Sequence, residues 1–214
     1  MRISKKNLKL IIWIFLILLI IFMPYIVSES RLKIIGKCLS LSIVALGIDL
    51  NWGFTGLLSL GQGIFFALGG YAIAMFLNLN SLSEGIPEFF GLYGVRELPF
   101  FWEPFKSPLF TLIAIWLIPG LVAGLLGYLV FRNRIKGVYF SILTQAALLV
   151  FYNFFNGQQK LINGTNGLST PTTKLFGMMV GSTEMQTYFF YVTALILILS
   201  YLFCKWLVSK RFGS

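Results

Sequence analysis

Long apolar runs, separated by short polar or basic stretches, dominate the sequence. They cover residues 10–27, 57–77, 109–130, 137–155 and 187–208. A helix needs roughly 20 predominantly apolar residues to cross the hydrocarbon core of a bilayer, and these runs have about that length. The pattern predicts an all-α integral membrane protein, with residues 1–214 forming a single transmembrane domain.

A further apolar run, residues 39–50, is too short to cross a bilayer by itself. It meets a helix-poor segment, residues 51–56, that contains Asn51, Gly53 and Gly56. This pattern predicts a helix that is broken, or re-entrant, between Asp49 and Gln62. Discontinuous helices of this kind are typical of transport sites. With the broken helix included, we expect about six transmembrane helices.

The N-terminal run has the basic start of a secretory signal, but differs from one in two respects. A signal has an apolar region of about 7–15 residues that ends at a small-residue cleavage site. Here the run is longer and breaks at Pro24 without an Ala-x-Ala sequence. We therefore expect an uncleaved first helix.

Basic residues indicate which loops face the cytoplasm. Arg132, Arg134 and Lys136 occupy a tight turn between two apolar runs, and positively charged short loops are typically cytoplasmic. Basic residues after the last run place the C-terminus on the same side. The expected topology is multi-pass in the inner (cytoplasmic) membrane with both termini cytoplasmic. Basic residues in the polar link 28–37 do not fit it, because this topology places that link outside.

Composition excludes several classes of function. Of the residues, 57% are hydrophobic and 11% charged, and histidine is absent, which removes the usual proton shuttle and the commonest transition-metal ligand. The net charge of +10 lies in short clusters between apolar runs, so it does not indicate nucleic-acid binding. Cys38 and Cys204 lack metal-ligand spacing and are expected to be small buried residues. We expect no enzyme activity, no cofactor and no metal.

A set of polar residues lies inside the apolar runs, where such side chains need a partner or water. They offer hydrogen bonds with at most one net charge, which suits a small, nearly neutral solute better than an ion. We predict that a substrate pathway is formed by Asp49, Asn51, Thr55, Ser59, Gln62, Tyr139, Thr144 and Gln145. For Asp49 three roles are open: a pathway residue, the partner of a lysine, or the N-terminal capping residue where the helix restarts.

Small residues recur at helical spacing and predict close helix packing. One ladder begins at Ser59 and another lies near Pro119, which should kink its helix. The predicted packing positions are Gly63, Ala67, Gly70, Ala74, Gly120 and Gly124. In the loop between residues 78 and 107, the aromatic residues are expected at the membrane interface or over the mouth of a pore.

Three stretches resemble landmarks of one family. These are DLNWGFTGLLSLGQGIFFALGGY, which begins at Asp49, KGVYFSILTQA, which begins at Lys136, and NGTNGL, which begins at Asn163. They are similar to the permeases of branched-chain amino acid and urea ABC transporters. The segment ELPFFWEPF, from Glu97 to Phe105, resembles the urea permease subgroup more than the amino acid permease subgroup.

The resemblance implies a membrane subunit of an importer of urea or a similar small amide. The alternatives are a branched-chain amino acid permease and a membrane fragment that transports nothing. The implied partners are a second permease subunit, two cytoplasmic ATPase subunits that hydrolyse the ATP, an extracytoplasmic solute-binding protein and the lipid bilayer. Members of the family are longer, so we expect the chain to represent the N-terminal part of the family fold, truncated before the segment that couples to the ATPase.

Overall fold

A computed structural model describes residues 5–81, 85–135, 137–170 and 172–209 of the chain. The described residues are mainly helical. The α-helices are α1 (Lys5–Ile26), α2 (Glu29–Thr55), α3 (Gln62–Asn80), α4 (Glu88–Leu92), α5 (Pro108–Arg132), α6 (Val138–Gly157), α7 (Gln159–Ile162) and α8 (Thr183–Ser209). Two 3₁₀ helices (Phe100–Lys106 and Gly164–Asn166) and an antiparallel pair of two-residue strands, β1 (Lys174–Leu175) and β2 (Met178–Met179), lie in the loops.

Five of the described helices, α2, α3, α5, α6 and α8, are long and apolar enough to cross a membrane. Helix α1 contributes a shorter apolar stretch, Leu16–Ile26. Most of their side chains are not covered by the rest of the chain, as expected for helices that face lipid or other subunits. The prediction of an all-α integral membrane protein is confirmed.

The chain divides into two compact units. Unit 1 consists of Met1–Leu46 and Ser182–Ser214, and unit 2 of Gly47–Gly181. Within unit 1, the Tyr191 hydroxyl donates a hydrogen bond to the Ile21 carbonyl at 2.9 Å, and the rings of Trp13 and Tyr201 are 5.5 Å apart. These contacts join α1 to α8.

Helix α2 corrects two expectations. It begins at Glu29, so most of the expected polar link, residues 28–37, is helical. Its 27 residues are sufficient for a complete span, and α3, with 19 residues, forms another. The helices are indeed interrupted between Asp49 and Gln62, but the interruption joins two full-length helices and does not follow a half-span. Near its start, Lys33 forms an ion pair with Glu29 at 2.7 Å.

Unit 2 has a turn end and a loop end. The α2–α3 connection and the α5–α6 turn lie together at the turn end, where both line one surface depression. The opposite end carries the loop layer, which we define as the described residues of 85–107 and 158–181. A hydrophobic core joins this layer to α3 and α5, and its buried members include Met75, Phe90, Trp102, Phe105, Ala114 and Ile162.

Hydrogen bonds hold the two halves of the loop layer together. The Trp102 indole donates to the Leu161 carbonyl at 3.0 Å, and the Tyr93 hydroxyl lies 3.1 Å from Gln159 Oε1 and 3.2 Å from Asn163 Oδ1. Gly164 is buried at φ +21°, and a Cβ there would lie 2.4 Å from the Asn156 carbonyl oxygen. Only glycine fits this close approach.

Candidate functional site

Residues 56–61 connect α2 to α3 and are not helical. Local hydrogen bonds and a glycine end α2 before this segment. The Thr55 hydroxyl donates to the Asn51 carbonyl at 2.6 Å and accepts a hydrogen bond from the Leu57 amide at 3.2 Å. Gly56 then adopts φ +65°, a left-handed conformation that glycine takes without strain. Helix α2 therefore ends because a side chain and a glycine both redirect the backbone.

Two side chains of α6 attach this connection to unit 2. Ser141 donates to the Leu58 carbonyl at 2.7 Å, and the Leu60 amide donates to Thr144 Oγ1 at 3.1 Å. The Thr144 hydroxyl also donates to the Ser141 carbonyl, at 3.0 Å. A Cβ at Gly61 would lie 3.0 Å from the Thr144 carbonyl oxygen, so the two backbones are in close contact. The extended backbone thus finds its hydrogen-bond partners on a neighbouring helix, as it must where water is scarce.

A cavity of about 450 Å³ lies beside this connection, between α3, α5 and α6. Its polar lining comes from five of the predicted pathway residues: Asn51, Thr55, Ser59, Gln62 and Thr144. Most of the remaining lining is apolar: Leu57, Ile64, Phe65, Ala123, Leu126, Leu129, Val130, Phe131, Phe140, Leu143 and Ala147, together with Gly61 and Gly127. No charged side chain of the described chain lines it. A mainly apolar cavity with a few convergent polar groups is typical of sites for small molecules.

The other three predicted pathway residues lie elsewhere. Asp49 and Gln145 are exposed, and neither lines the cavity. Tyr139 is 77% exposed and lines a different groove. Asp49 lies inside α2, six residues before its end, so the proposed role as a capping residue for the restarting helix is wrong. Gly61 occupies that capping position at α3, without a side-chain hydrogen bond.

Comparison with protein-family models gives a match over residues 30–214 to the family described as "Branched-chain amino acid transport system / permease component". The chain belongs to this family. The resemblance seen in the sequence is thereby confirmed at the level of the branched-chain amino acid permeases, whereas the urea subgroup is not distinguished.

Two curated relatives carry the same family's function in their names. The chain is 27% identical over 174 residues to the "High-affinity branched-chain amino acid transport system permease protein LivM" of Escherichia coli, covering 80% of this chain and 34% of that protein. It is 26% identical over 166 residues to the protein of that name from Salmonella typhimurium, covering 76% and 32%. The chain thus spans about a third of the length of these relatives. No solved structure matches it.

The site of this permease component includes two groups that were not among the predicted pathway residues. Ser141 binds the Leu58 carbonyl of the connection without lining the cavity, and Gly61 lines the cavity. Ser141 and Thr144 are three residues apart and so share a helix face, which is a signal that could have identified the anchoring pair. The many apolar lining residues give no such signal, because most of α3, α5 and α6 is apolar.

The predicted packing glycines differ in their surroundings. A Cβ at Gly63 would lie 3.1 Å from Leu148 Cδ1 of α6. At Gly70, Gly120 and Gly124, no described atom lies within 4 Å of that position apart from the adjacent residues and the nearby backbone of the same helix. Close packing at Gly70, Gly120 and Gly124 therefore stays a prediction.

The described residues contain no group of three or more His, Cys, Asp or Glu side chains that could hold a metal ion. The site offers amide, hydroxyl and backbone groups on an apolar wall. Such an arrangement offers hydrogen-bond donors and acceptors to a small molecule.

Proposed function

We propose that this chain is a permease component of an ATP-driven importer and that its 450 Å³ cavity forms part of the path of a small solute without net charge. The observation that carries the proposal is the lining, in which Asn51, Ser59, Gln62 and other neutral polar groups interrupt an apolar wall. An isolated ion would find no opposite charge there, whereas a neutral or zwitterionic solute can satisfy the polar groups.

A branched-chain aliphatic amino acid is the first candidate for the solute. Two observations support it: the apolar wall suits an aliphatic side chain, and the relatives are named as branched-chain amino acid permeases. Gln62 lines the cavity at the start of α3. In this proposal its amide and the helix N-terminus bind the charged backbone groups of the solute, since a helix N-terminus favours a carboxylate.

Urea or a similar small amide is the second candidate. It is supported by the similarity of the segment from Glu97 to Phe105 to urea permeases and by the hydroxyl and amide groups of the cavity. Urea has no apolar part, so it would leave most of the wall without a partner. For this reason we place the amino acid first.

The proposed assembly contains a second permease subunit, two cytoplasmic ATPase subunits and an extracytoplasmic solute-binding protein. In this proposal the chain itself hydrolyses no ATP. The turn end, with Arg132 and Arg134, faces the cytoplasm, because short basic loops remain on that side. The loop layer then faces outward in the cytoplasmic membrane, and both termini are cytoplasmic.

Uptake of labelled leucine and of labelled urea, measured in cells with and without the gene, tests the proposal. Deletion should lower uptake of one solute, and the solute affected decides between the candidates. Complementation with Gln62→Leu should restore roughly three- to ten-fold less uptake than the native gene, since one hydrogen bond contributes about 1 kcal/mol. Gln145→Leu is the matched control and should restore it fully. Unchanged uptake of both solutes after deletion would refute the assignment.

A further inference from the structure

The α5–α6 turn carries an arginine whose position is set by the backbone. The Arg134 amide donates to the Phe131 carbonyl at 3.0 Å, and the Ile135 amide donates to the Val130 carbonyl at 3.3 Å. Arg134 itself adopts φ +53°, which is uncommon for a residue with a side chain. These contacts fix the point at which its guanidinium side chain leaves the turn.

A groove of about 490 Å³ begins at this arginine and follows α6. Its six lining residues are Arg134, Ile135, Tyr139, Ile142, Leu143 and Ala146. The polar side chains are at the end next to the turn, and only apolar ones follow. The distance along the helix from Tyr139 to Ala146 is roughly 10 Å, at about 1.5 Å per residue.

The two arginines of the turn have different surroundings. Arg132 donates to the Tyr128 hydroxyl, and its guanidinium carbon lies 5.6 Å from the centre of that ring. Arg134 forms no ion pair with any described carboxylate, and no acidic residue lines its groove. Between Glu103 and Glu184 the sequence contains no acidic residue at all. The positive charge at the mouth of the groove is therefore not neutralised within the described chain.

We propose that this groove binds one anionic phospholipid. The phosphate lies at the guanidinium of Arg134 and the hydroxyl of Tyr139, and an acyl chain follows Ile142, Leu143 and Ala146. A guanidinium can form two parallel hydrogen bonds to a phosphate, and it is the side chain best suited to this pairing. Basic pockets at the ends of transmembrane helices are suited to anionic headgroups for the same reason. The inference does not depend on which solute is transported.

Native mass spectrometry of the purified full chain in detergent tests the site. The protein is titrated with phosphatidylglycerol and with phosphatidylcholine of the same acyl chains. The native protein should bind phosphatidylglycerol more tightly. Arg134→Gln should lower that affinity about five-fold, the equivalent of about 1 kcal/mol for one basic residue near anionic lipid. It should lower the affinity for phosphatidylcholine less, because the choline cation already offsets the charge of that phosphate.

Two further variants separate the groove from a general effect of positive charge. Arg132→Gln removes the same charge from the same turn but not from the groove, so it should change the affinity less than two-fold. Ala146→Phe fills the apolar end of the groove and leaves the charge of Arg134 in place, so it should weaken the binding of both lipids. Equal binding of the two lipids by the native protein, or equal losses in the two arginine variants, would overturn the proposal. An unaltered affinity in Ala146→Phe would also overturn it.

Discussion

Replacement of Thr144 by valine keeps the shape of the side chain but removes its hydroxyl group. That hydroxyl accepts the hydrogen bond of the Leu60 amide at 3.1 Å and donates to the Ser141 carbonyl at 3.0 Å. A backbone N–H that loses its hydrogen-bond partner lowers the free energy of unfolding by about 1–3 kcal/mol. Because Leu60 is 39% exposed, we expect the lower end of that range, about 1 kcal/mol.

Thermal unfolding in detergent, followed by tryptophan fluorescence, measures this effect. For a chain of about 200 residues, a loss of 1 kcal/mol corresponds to a fall in Tm of about 2–4 °C. Thr144→Ser keeps both hydrogen bonds and should lie close to the native protein. Gln145→Leu changes the adjacent exposed residue and should have little effect.

Two outcomes would refute this reasoning. If valine and serine at position 144 give the same Tm, the hydroxyl does not anchor the α2–α3 connection. If Gln145→Leu lowers Tm as much as Thr144→Val does, the effect belongs to a general loss of polarity in α6 and not to the bond with Leu60. A fall confined to the valine variant would support the described attachment.

Two glycine predictions use the same measurement. Gly164→Ala should lower Tm by more than Thr144→Val, because a Cβ would lie 2.4 Å from the Asn156 carbonyl oxygen; overpacking typically costs about 1–3 kcal/mol. A Tm like that of the native protein would show that the contact is not rigid. Gly63→Ala should lower the free energy of unfolding by about 1 kcal/mol, because the added Cβ would crowd the Leu148 side chain. Gly120→Ala should leave the free energy of unfolding of the isolated chain unchanged. Equal effects of these two would contradict the described packing.

The spans themselves could be predicted from the sequence, because length and hydropathy determine which segments can cross a membrane. The start of α2 could not. Arg31, Lys33 and Lys37 suggested a polar link, yet lysine and arginine are good helix formers whose long side chains reach polar surroundings from a helix end. The helix therefore continues through a stretch whose charges had suggested a loop.

The candidate site was predicted where the residues are close in the sequence. Asn51, Thr55, Ser59 and Gln62 follow one another across a single connection, and the structure brings them to one cavity. Which of the neighbouring polar residues on α6, Thr144 or Gln145, lines the cavity could be decided only from the structure. Adjacent residues point in directions about 100° apart on a helix, and an α6 that is apolar on most sides does not reveal its inner face.

The loop layer shows a further limit of prediction from sequence. Trp102 and Phe105 are both buried in the hydrophobic core of unit 2, a packing role that the sequence analysis did not predict. Their partners include Ile162, in another loop. A local pattern of aromatic residues cannot indicate such a distant contact.

The hydrogen bonds that hold the loop layer have a consequence for biosynthesis. The hydrogen bond from Trp102 to the Leu161 carbonyl can form only after 59 more residues have been synthesised. The hydrogen bond that the Ser81 hydroxyl accepts from the Lys174 amide requires 93 more residues. At about 5–20 residues per second, a ribosome needs roughly 5–19 seconds to add the latter stretch. Helix α3 is complete when this interval begins and α5 is made during it, but the layer that covers them is completed only at its end. The newly made chain therefore passes through a period in which Trp102 lacks the later residues that cover it in the finished unit 2.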